Sequence, residues 1–172
     1  AAGQVGRCIM VNRAVAEADF ARMARELRKQ MDEAGLGEAV DIVSSDKGVR
    51  LRVKGKMLFN AGQSGIKQGA DKLLSGLVEV MKQHAYYLTV EGHTDSVPIN
   101  TSQFPSNWEL SAARASAVLR SLVNEGVPEN RVSAVGYAAN FPIADNANEV
   151  GREKNRRVEF IFTQEPTRSR VE

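Results

Sequence analysis

The centre of the predicted fold is the sequence Gly92-His93-Thr94-Asp95, followed after a loop by Ser106-Asn107-Trp108-Glu109-Leu110-Ser111-Ala112-Ala113-Arg114-Ala115. The first part ends a predicted strand with a carboxylate. The second part begins a predicted helix that carries a guanidinium two turns from its start. Its opening Ser-x-x-Glu is a capping box, which satisfies free N–H groups at a helix N-terminus. Acid and base are thus held apart on rigid elements and could bind a small zwitterion from both ends.

Hydrophobic periodicity predicts the elements on either side of this sequence. Alternating apolar and polar residues indicate strands, and apolar residues three and four apart indicate helices. Gly, Pro and short polar clusters mark the turns between them. In chain order, the predicted elements are a hairpin within 39–53, a helix at 66–83, a strand at 87–91, a helix from Ser106 to about Glu125, a strand at 131–137, a polar loop at 141–154 and a strand at 157–163.

This order of elements, β-α-β-α-β-β after an N-terminal helix, predicts an α/β fold. Two strand–helix–strand crossovers within about 100 residues predict a two-layer sandwich, in which helices cover one face of a mixed sheet. We divide the chain into a linker with a helix at residues 1–38, the α/β domain at 39–165 and a polar tail at 166–172.

The N-terminal helix, predicted at 13–34, has a narrow apolar stripe. Arginine, lysine and glutamate cover the rest of its surface, and Gly35 and Gly37 end it. We favour a seam for self-association, or a linker helix, over a helix that packs on its own domain, and both interpretations stay open. The stripe consists of Phe20, Met23, Leu27, Met31 and Ala34.

The composition is that of an ordinary globular protein. The 172 residues, 42% apolar and 26% charged, can bury one sizeable core. The formal charge of +2 gives no field that would indicate nucleic-acid binding. No run of 18 apolar residues is present. The chain starts with Ala1, which is consistent with a processed or truncated piece and an anchor upstream.

Catalytic and metal sites find little support in the sequence. The single cysteine, Cys8, cannot form an internal disulfide or a multi-cysteine zinc site. Nucleophile-elbow, phosphate-loop and dinucleotide-binding glycine motifs are absent. His93 and Asp95, two residues apart, could share a strand face as metal ligands, but the only other histidine, His84, is at a helix end. We therefore predict no catalytic residue, metal or cofactor, and interpret His93 as a structural hydrogen-bonding group.

The favoured interpretation is a binding site formed by Asp95 and Arg114. An Asp after a strand is often only a turn-former, but this one lies where strand ends of α/β sheets host ligands. Arg114 has small neighbours, so its guanidinium is free to bind a carboxylate, although a solvated charge is the usual alternative. A ligand held at both ends by these two residues would bind with only micromolar-range affinity, because association itself costs free energy. Arg157 alternates into the last strand, where we expect it to pair with a carboxylate near the site or on a neighbouring strand.

Several motifs together resemble the OmpA-like peptidoglycan-binding domain, from about residue 40 to 163. They are Thr94-Asp95, Leu110-Ser111-x-x-Arg114-Ala115, Gly136-Tyr137 and Asn155-Arg156-Arg157-Val158-Glu159. In that family an Asp and a helix Arg hold the ammonium and carboxylate of diaminopimelate in the cell-wall stem peptide. The resemblance gives these roles to Asp95 and Arg114. It also implies pocket positions for Thr94, Asn107 and Asn60, with His93, Leu110 and Arg157 in support.

Within the family, Ser106–Ser111 and the long loop with Val97-Pro98 resemble the periplasmic part of MotB-type flagellar stator proteins. The resemblance implies a periplasmic, non-catalytic wall anchor that works as a homodimer with a MotA-type subunit. It also implies an inner-membrane helix outside this chain. One alternative is an OmpA-like or Pal-like tether unrelated to motility. A third hypothesis, an enzyme acting on cell-wall peptides, lacks a nucleophile.

Overall fold

The computed structural model describes the backbone of residues 2–166 and the side chains of residues 12–166. The Cys8 side chain and tail residues 167–172 lie outside the described part. No described helix combines the length and apolar character that crossing a membrane requires. The elements are α1 (Ala2–Glu33), β1 (Val40–Ser44), β2 (Val49–Lys54), α2 (Asp71–Gln83), β3 (Tyr87–His93), α3 (Asn107–Asn124), β4 (Val132–Gly136), α4 (Glu149–Asn155) and β5 (Arg157–Thr163).

The five strands form one mixed sheet in the order β1-β2-β5-β3-β4. β5 pairs antiparallel with both β2 and β3, whereas β3 and β4 are parallel. The predicted α/β sandwich, with a mixed sheet and an N-terminal helix, is confirmed. The last strand lies at the centre of the sheet, a placement that depends on pairing with residues about 100 positions earlier.

The core lies between the sheet and helices α1, α2 and α3. Alternate residues of β2, β3 and β5 point into it, and each is at most 1% exposed. Burying one such side chain contributes about 1.5–3 kcal/mol to the free energy of unfolding. The strand residues concerned are Val49, Leu51, Val53, Leu88, Val90, Val158, Phe160 and Phe162.

The stripe of α1 packs on its own domain, against α2 and β1. Phe20, Met23, Leu27 and Met31 are at most 1% exposed and belong to the same core as the sheet. Our interpretation of these residues as a seam for self-association is therefore wrong, because a partner helix could not reach them. The division of the chain at residue 38 stays a prediction.

Two further predictions, the start of one helix and one loop, also differ from the structure. The helix predicted from residue 66 begins at Asp71, because Ile66 forms a bridge with Phe59 and Gly69 has a φ of 97°. The predicted loop at 141–154 contains α4, which buries only Gly151 and Asn155. A helix without an apolar stripe gives no periodic signal.

Helix α3 approaches the sheet closely at two glycines, Gly92 of β3 and Gly136 of β4. A Cβ atom at Gly92 would lie 2.2 Å from the carbonyl oxygen of Ser111, and one at Gly136 would lie 2.4 Å from the nitrogen of Ala112. Only residues without a side chain fit there. The Ser111 hydroxyl also accepts a hydrogen bond from the N–H of Ala138 at 3.0 Å. α3 is thus fastened where β3 and β4 end.

The face of the sheet opposite the helices, here called the open face, carries a buried carboxylate. Glu159 of β5 is 1% exposed and accepts hydrogen bonds from the Nε atoms of Arg52 (2.8 Å) and Arg157 (3.0 Å). Arg50 pairs with its second oxygen. Burial alone would raise the pKa of Glu159, but the bonds from Arg52 and Arg157 lower it to about 2. Arg157 thus pairs with a carboxylate, but that of Glu159 on its own strand, and not, as expected, one near the site or on a neighbouring strand.

Replacing Gly92 tests the close approach of α3. Gly92→Ala forces the helix away from the sheet, so we expect the free energy of unfolding to fall by about 1–3 kcal/mol in urea titrations. Gly65→Ala is the control, because a Cβ there meets no atom within 4 Å, and it should change stability by less than about 0.5 kcal/mol. Equal stability of the two variants would contradict the clash.

Replacing Glu159 tests the ion cluster of the open face. The pKa of Glu159 is depressed from 4.5 to about 2 in the folded state, so its stabilising contribution is complete above pH 4.5 and is lost as pH falls towards 2. We expect Glu159→Gln to lower the free energy of unfolding at pH 7 by about 3 kcal/mol. The difference from wild type should shrink between pH 4.5 and 2. Exposed Glu129→Gln is the charge control, and a difference independent of pH would refute the linkage.

Candidate functional site

A cavity of about 630 Å³ opens where β3 ends and α3 begins. The loop after β2 and helix α4 form its other walls. Four of the five predicted binding residues, and the supporting Leu110, line it together. Its lining includes Lys56, Phe59, Thr94, Asp95, Asn107, Leu110, Arg114, Glu149, Arg152 and Arg156.

Asp95 is fixed at both carboxylate oxygens. Oδ1 accepts a hydrogen bond from the N–H of Val97 at 3.0 Å, and Oδ2 accepts one from Arg156 at 2.7 Å. Thr94 positions the preceding backbone: its N–H donates to the carbonyl of Ala138 and its hydroxyl donates to the carbonyl of Asp95, both at 2.9 Å. A buried negative group is therefore presented to the cavity in one orientation.

Arg114 is 8% exposed and is held by backbone carbonyls instead of a carboxylate. Its Nε donates to Gln63 at 2.8 Å, a terminal nitrogen donates to Asn60 at 3.2 Å, and the guanidinium lies 5.0 Å from the ring centre of Phe59. Burial lowers the pKa of Arg114, the charge of Arg156 lowers it further, and Asp95 opposes both. No described carboxylate forms an ion pair with Arg114, so an anionic ligand group would be favourable there.

The loop between Asp95 and α3 is fastened to the helix by its first residues. The side-chain amide of Asn107 donates to the carbonyl of Val97 at 3.0 Å and approaches that of Asp95 at 3.5 Å. Ser106 caps α3, accepting from the N–H of Trp108 at 3.2 Å and bonding the carboxylate of Glu109. Asn107 therefore shapes the cavity by holding this loop.

Three predicted residues take other places. Asn60 acts through its backbone carbonyl on Arg114 and does not line the cavity. His93 and Arg157 lie on the open face, where the His93 Nε2 is 3.2 Å from Glu91. The idea that His93 and Asp95 share a strand face is wrong, because β3 ends at His93 and Asp95 turns towards the helices.

Sequence reasoning missed the charged residues of α4 and the residue that follows it. Arg156 bridges Asp95 and Glu149, and Arg152 donates to Glu149 at 3.1 Å. The hydrogen bond with Glu149 is the main reason why the pKa of Arg156 is raised. The available signal was the spacing of residues 149, 152 and 156, which places all three on one helical face. It was overlooked because this segment was predicted to be a loop.

The arrangement can hold a ligand that carries both an ammonium and a carboxylate. Asp95 offers a fixed negative charge, and Arg114 offers N–H groups without a carboxylate partner among the described residues. Charge-assisted hydrogen bonds of this kind contribute about 1.5–3 kcal/mol each. The geometry therefore favours recognition of a zwitterionic group.

The chain is similar to a known protein family, to individual proteins of known sequence and to solved structures. Residues 58–156 match the OmpA family. Motility protein B from Helicobacter pylori (strain J99) is 32% identical over 130 residues, which cover 74% of this chain and 51% of that protein. The chain thus spans about half the length of this curated relative.

Two solved structures share the fold. A MotB-like protein from Desulfovibrio vulgaris has a TM-score of 0.84 at 29% identity, covering 90% of this chain and 99% of that one. The cell wall anchor of the type VI secretion system from Pseudomonas aeruginosa has a TM-score of 0.75 at 29% identity, covering 81% and 97%. The family match covers more than half of the chain and all five predicted binding residues. The chain belongs to the OmpA family.

Proposed function

We propose that this chain is a non-catalytic module that binds peptidoglycan through diaminopimelate of the stem peptide. The observation that carries the proposal is the buried guanidinium of Arg114, which has no carboxylate partner in the described part of the chain and shares a cavity with Asp95. The end of the diaminopimelate side chain carries an ammonium and a carboxylate on one carbon. Its carboxylate pairs with Arg114 and its ammonium pairs with Asp95.

Binding at Asp95 involves an exchange of partners. Arg156 donates to the Asp95 oxygen that an ammonium would approach, and Glu149 holds the other side of the same guanidinium. As the ammonium arrives, Arg156 shifts its contact from Asp95 towards Glu149. The second carboxylate thereby lowers the cost of opening the site.

A more specific proposal is that the module anchors a flagellar stator to the cell wall. Similarity to Motility protein B and to a MotB-like structure supports it. The chain would then be the periplasmic part of a homodimeric protein whose membrane helix, outside this chain, assembles with a MotA-type subunit. One weak site per chain is enough when several sites share the load, because linked sites raise the effective concentration.

The second candidate is a structural tether unrelated to motility. Similarity to the cell wall anchor of a type VI secretion system favours it. Deleting the gene separates the candidates. Cells that keep their flagella but do not swim would support the stator, whereas normal swimming with a defective envelope or secretion apparatus would support the tether.

The zwitterion site can be tested with two ligands and two variants. We expect calorimetry to show saturable binding of a soluble diaminopimelate muropeptide, weakened at least tenfold by Asp95→Asn or Arg114→Gln, since each removes a charge-assisted bond. A muropeptide with lysine in place of diaminopimelate lacks the carboxylate, so wild type should bind it more weakly and Arg114→Gln should no longer distinguish the two. Exposed Arg120→Gln, also on α3, is the control.

This proposal is refuted if wild type binds the two muropeptides equally, because Arg114 would then have no carboxylate to recognise. Loss of binding in Arg120→Gln would also count against it, since the effect would then come from charge in general.

Replacing Glu149 tests the exchange of partners. Glu149→Gln leaves Arg156 bound to Asp95 alone and removes a negative charge near the ammonium, so affinity for the diaminopimelate muropeptide should fall about two- to fivefold. The pairing is exposed, and the loss should therefore disappear in 0.5 M salt. An unchanged affinity at low salt would show that Glu149 plays no part. Glu129→Gln is the control: Glu129 lies on an exposed turn, well before Glu149 in the chain, so its replacement should leave the affinity unchanged.

A further inference from the structure

A second cavity, of about 340 Å³, lies on the open face between β2 and the residues that follow β4. It shares no lining residue with the cavity of Asp95 and Arg114. One wall is charged and the other is aromatic or apolar. The charged wall consists of Arg50, Arg52, Glu91, Arg157 and Glu159, with His93 beside it, and the apolar wall consists of Tyr137, Phe141, Pro142 and Ile143.

A metal ion is the first ligand to consider. Glu91, His93 and Glu159 bring three potential ligand atoms within 4.8 Å of one another. Both oxygens of Glu159 are already bonded to arginines, and three guanidinium groups surround it. A divalent cation would have to displace these bonds and then lie next to three positive charges. The cluster therefore disfavours a cation.

The same charges favour an anion. The cavity has three guanidinium groups and two carboxylates, which leaves an excess of one positive charge. Arg157 is buried, and each of its three guanidinium nitrogens already donates a hydrogen bond, to Glu159 and to two backbone carbonyls. The cations available to a ligand are therefore Arg50 and Arg52 at the cavity mouth.

Arg50 and Arg52 are prepared for binding. They are two residues apart on β2, so both side chains point to the open face. Each is anchored through one nitrogen to Glu159. Four nitrogens of these two side chains make no hydrogen bond among the described residues. They are both terminal nitrogens of Arg52, and the Nε and one terminal nitrogen of Arg50. An anchored guanidinium with free N–H groups loses less conformational freedom on binding than an unrestrained surface arginine.

The aromatic wall is rigid and accessible. Phe141 is 57% exposed, although its ring packs edge-on against Tyr137 with 5.0 Å between ring centres. Tyr137 in turn stacks on His93 at 5.4 Å. His93 is 4% exposed, and its Nδ1 has no hydrogen-bond partner among the described atoms. The cavity thus combines an apolar surface, a buried polar atom without a partner and two free guanidinium edges, as small-molecule sites do.

We propose that the open-face cavity is a second binding site, for a small carboxylate with an adjacent apolar group. The carboxylate takes the free N–H groups of Arg50 and Arg52, and the apolar group rests on Phe141 and Tyr137. The C-terminal residue of a peptide and an N-acylated amino acid have this chemistry. The proposal does not depend on the peptidoglycan site, because the two cavities are separate.

An NMR titration of the whole chain with N-acetylphenylalanine tests the proposal. Saturable shifts should appear at the Nε–H groups of Arg50 and Arg52 and at the rings of Tyr137 and Phe141. Binding should be at least fivefold tighter than that of acetate, which lacks the apolar group. Arg52→Gln should weaken it about tenfold, whereas Arg114→Gln should have no effect.

Lys54→Gln is the matched control, because Lys54 is the next basic residue on the same face and does not line this cavity. Arg50→Gln gives a second test if Arg52→Gln is poorly folded, and far-UV circular dichroism reports folding. The proposal is overturned if acetate, inorganic phosphate and N-acetylphenylalanine bind equally, or if binding survives both substitutions. Saturable zinc binding that requires His93 would overturn it in favour of a metal site.

Discussion

The rest of the structure depends on the contact between α3 and the sheet at Gly92 and Gly136. Because no side chain separates them, the start of the helix lies directly beside the end of β3. The carboxylate that follows the strand and the guanidinium two turns into the helix therefore face one cavity. The same contact holds the residues after β4 through Ser111, and those residues position Thr94. One steric constraint thus sets the geometry of the site.

The two faces of the sheet use charged residues differently. On the helical side, Arg114 is buried among carbonyl groups and an aromatic ring, so part of its bonding capacity is left for another molecule. On the open face, Glu159 of the central strand β5 forms ion pairs with three arginines. An uncompensated buried charge is costly to folding. For Arg114, the nearby charge of Asp95 offsets part of that cost.

Much of the fold follows from the sequence, because its strands alternate clearly and α3 begins with a strong cap. The placement of Asp95 and Arg114 in one cavity also followed, since one follows a strand and the other lies on the next helix. Features that depend on contacts between distant parts of the chain could not be predicted from the sequence. The apolar stripe of α1 looks the same whether a partner or its own domain covers it, and α4 has no stripe. Arg156 was missed for that reason, because its role depends on α4.

The central position of β5 governs when this domain can become complete. The strand nearest the C-terminus fills the gap between β2 and β3, so the sheet cannot close while residues 157–163 are still being synthesised. Until then two strands have unpaired edges, which favour aggregation and attack by proteases. The fold is therefore complete only after residues 157–163 have joined the sheet. A chain that stopped before residue 157 would leave the edges of β2 and β3 unpaired and would lack the central strand of the sheet.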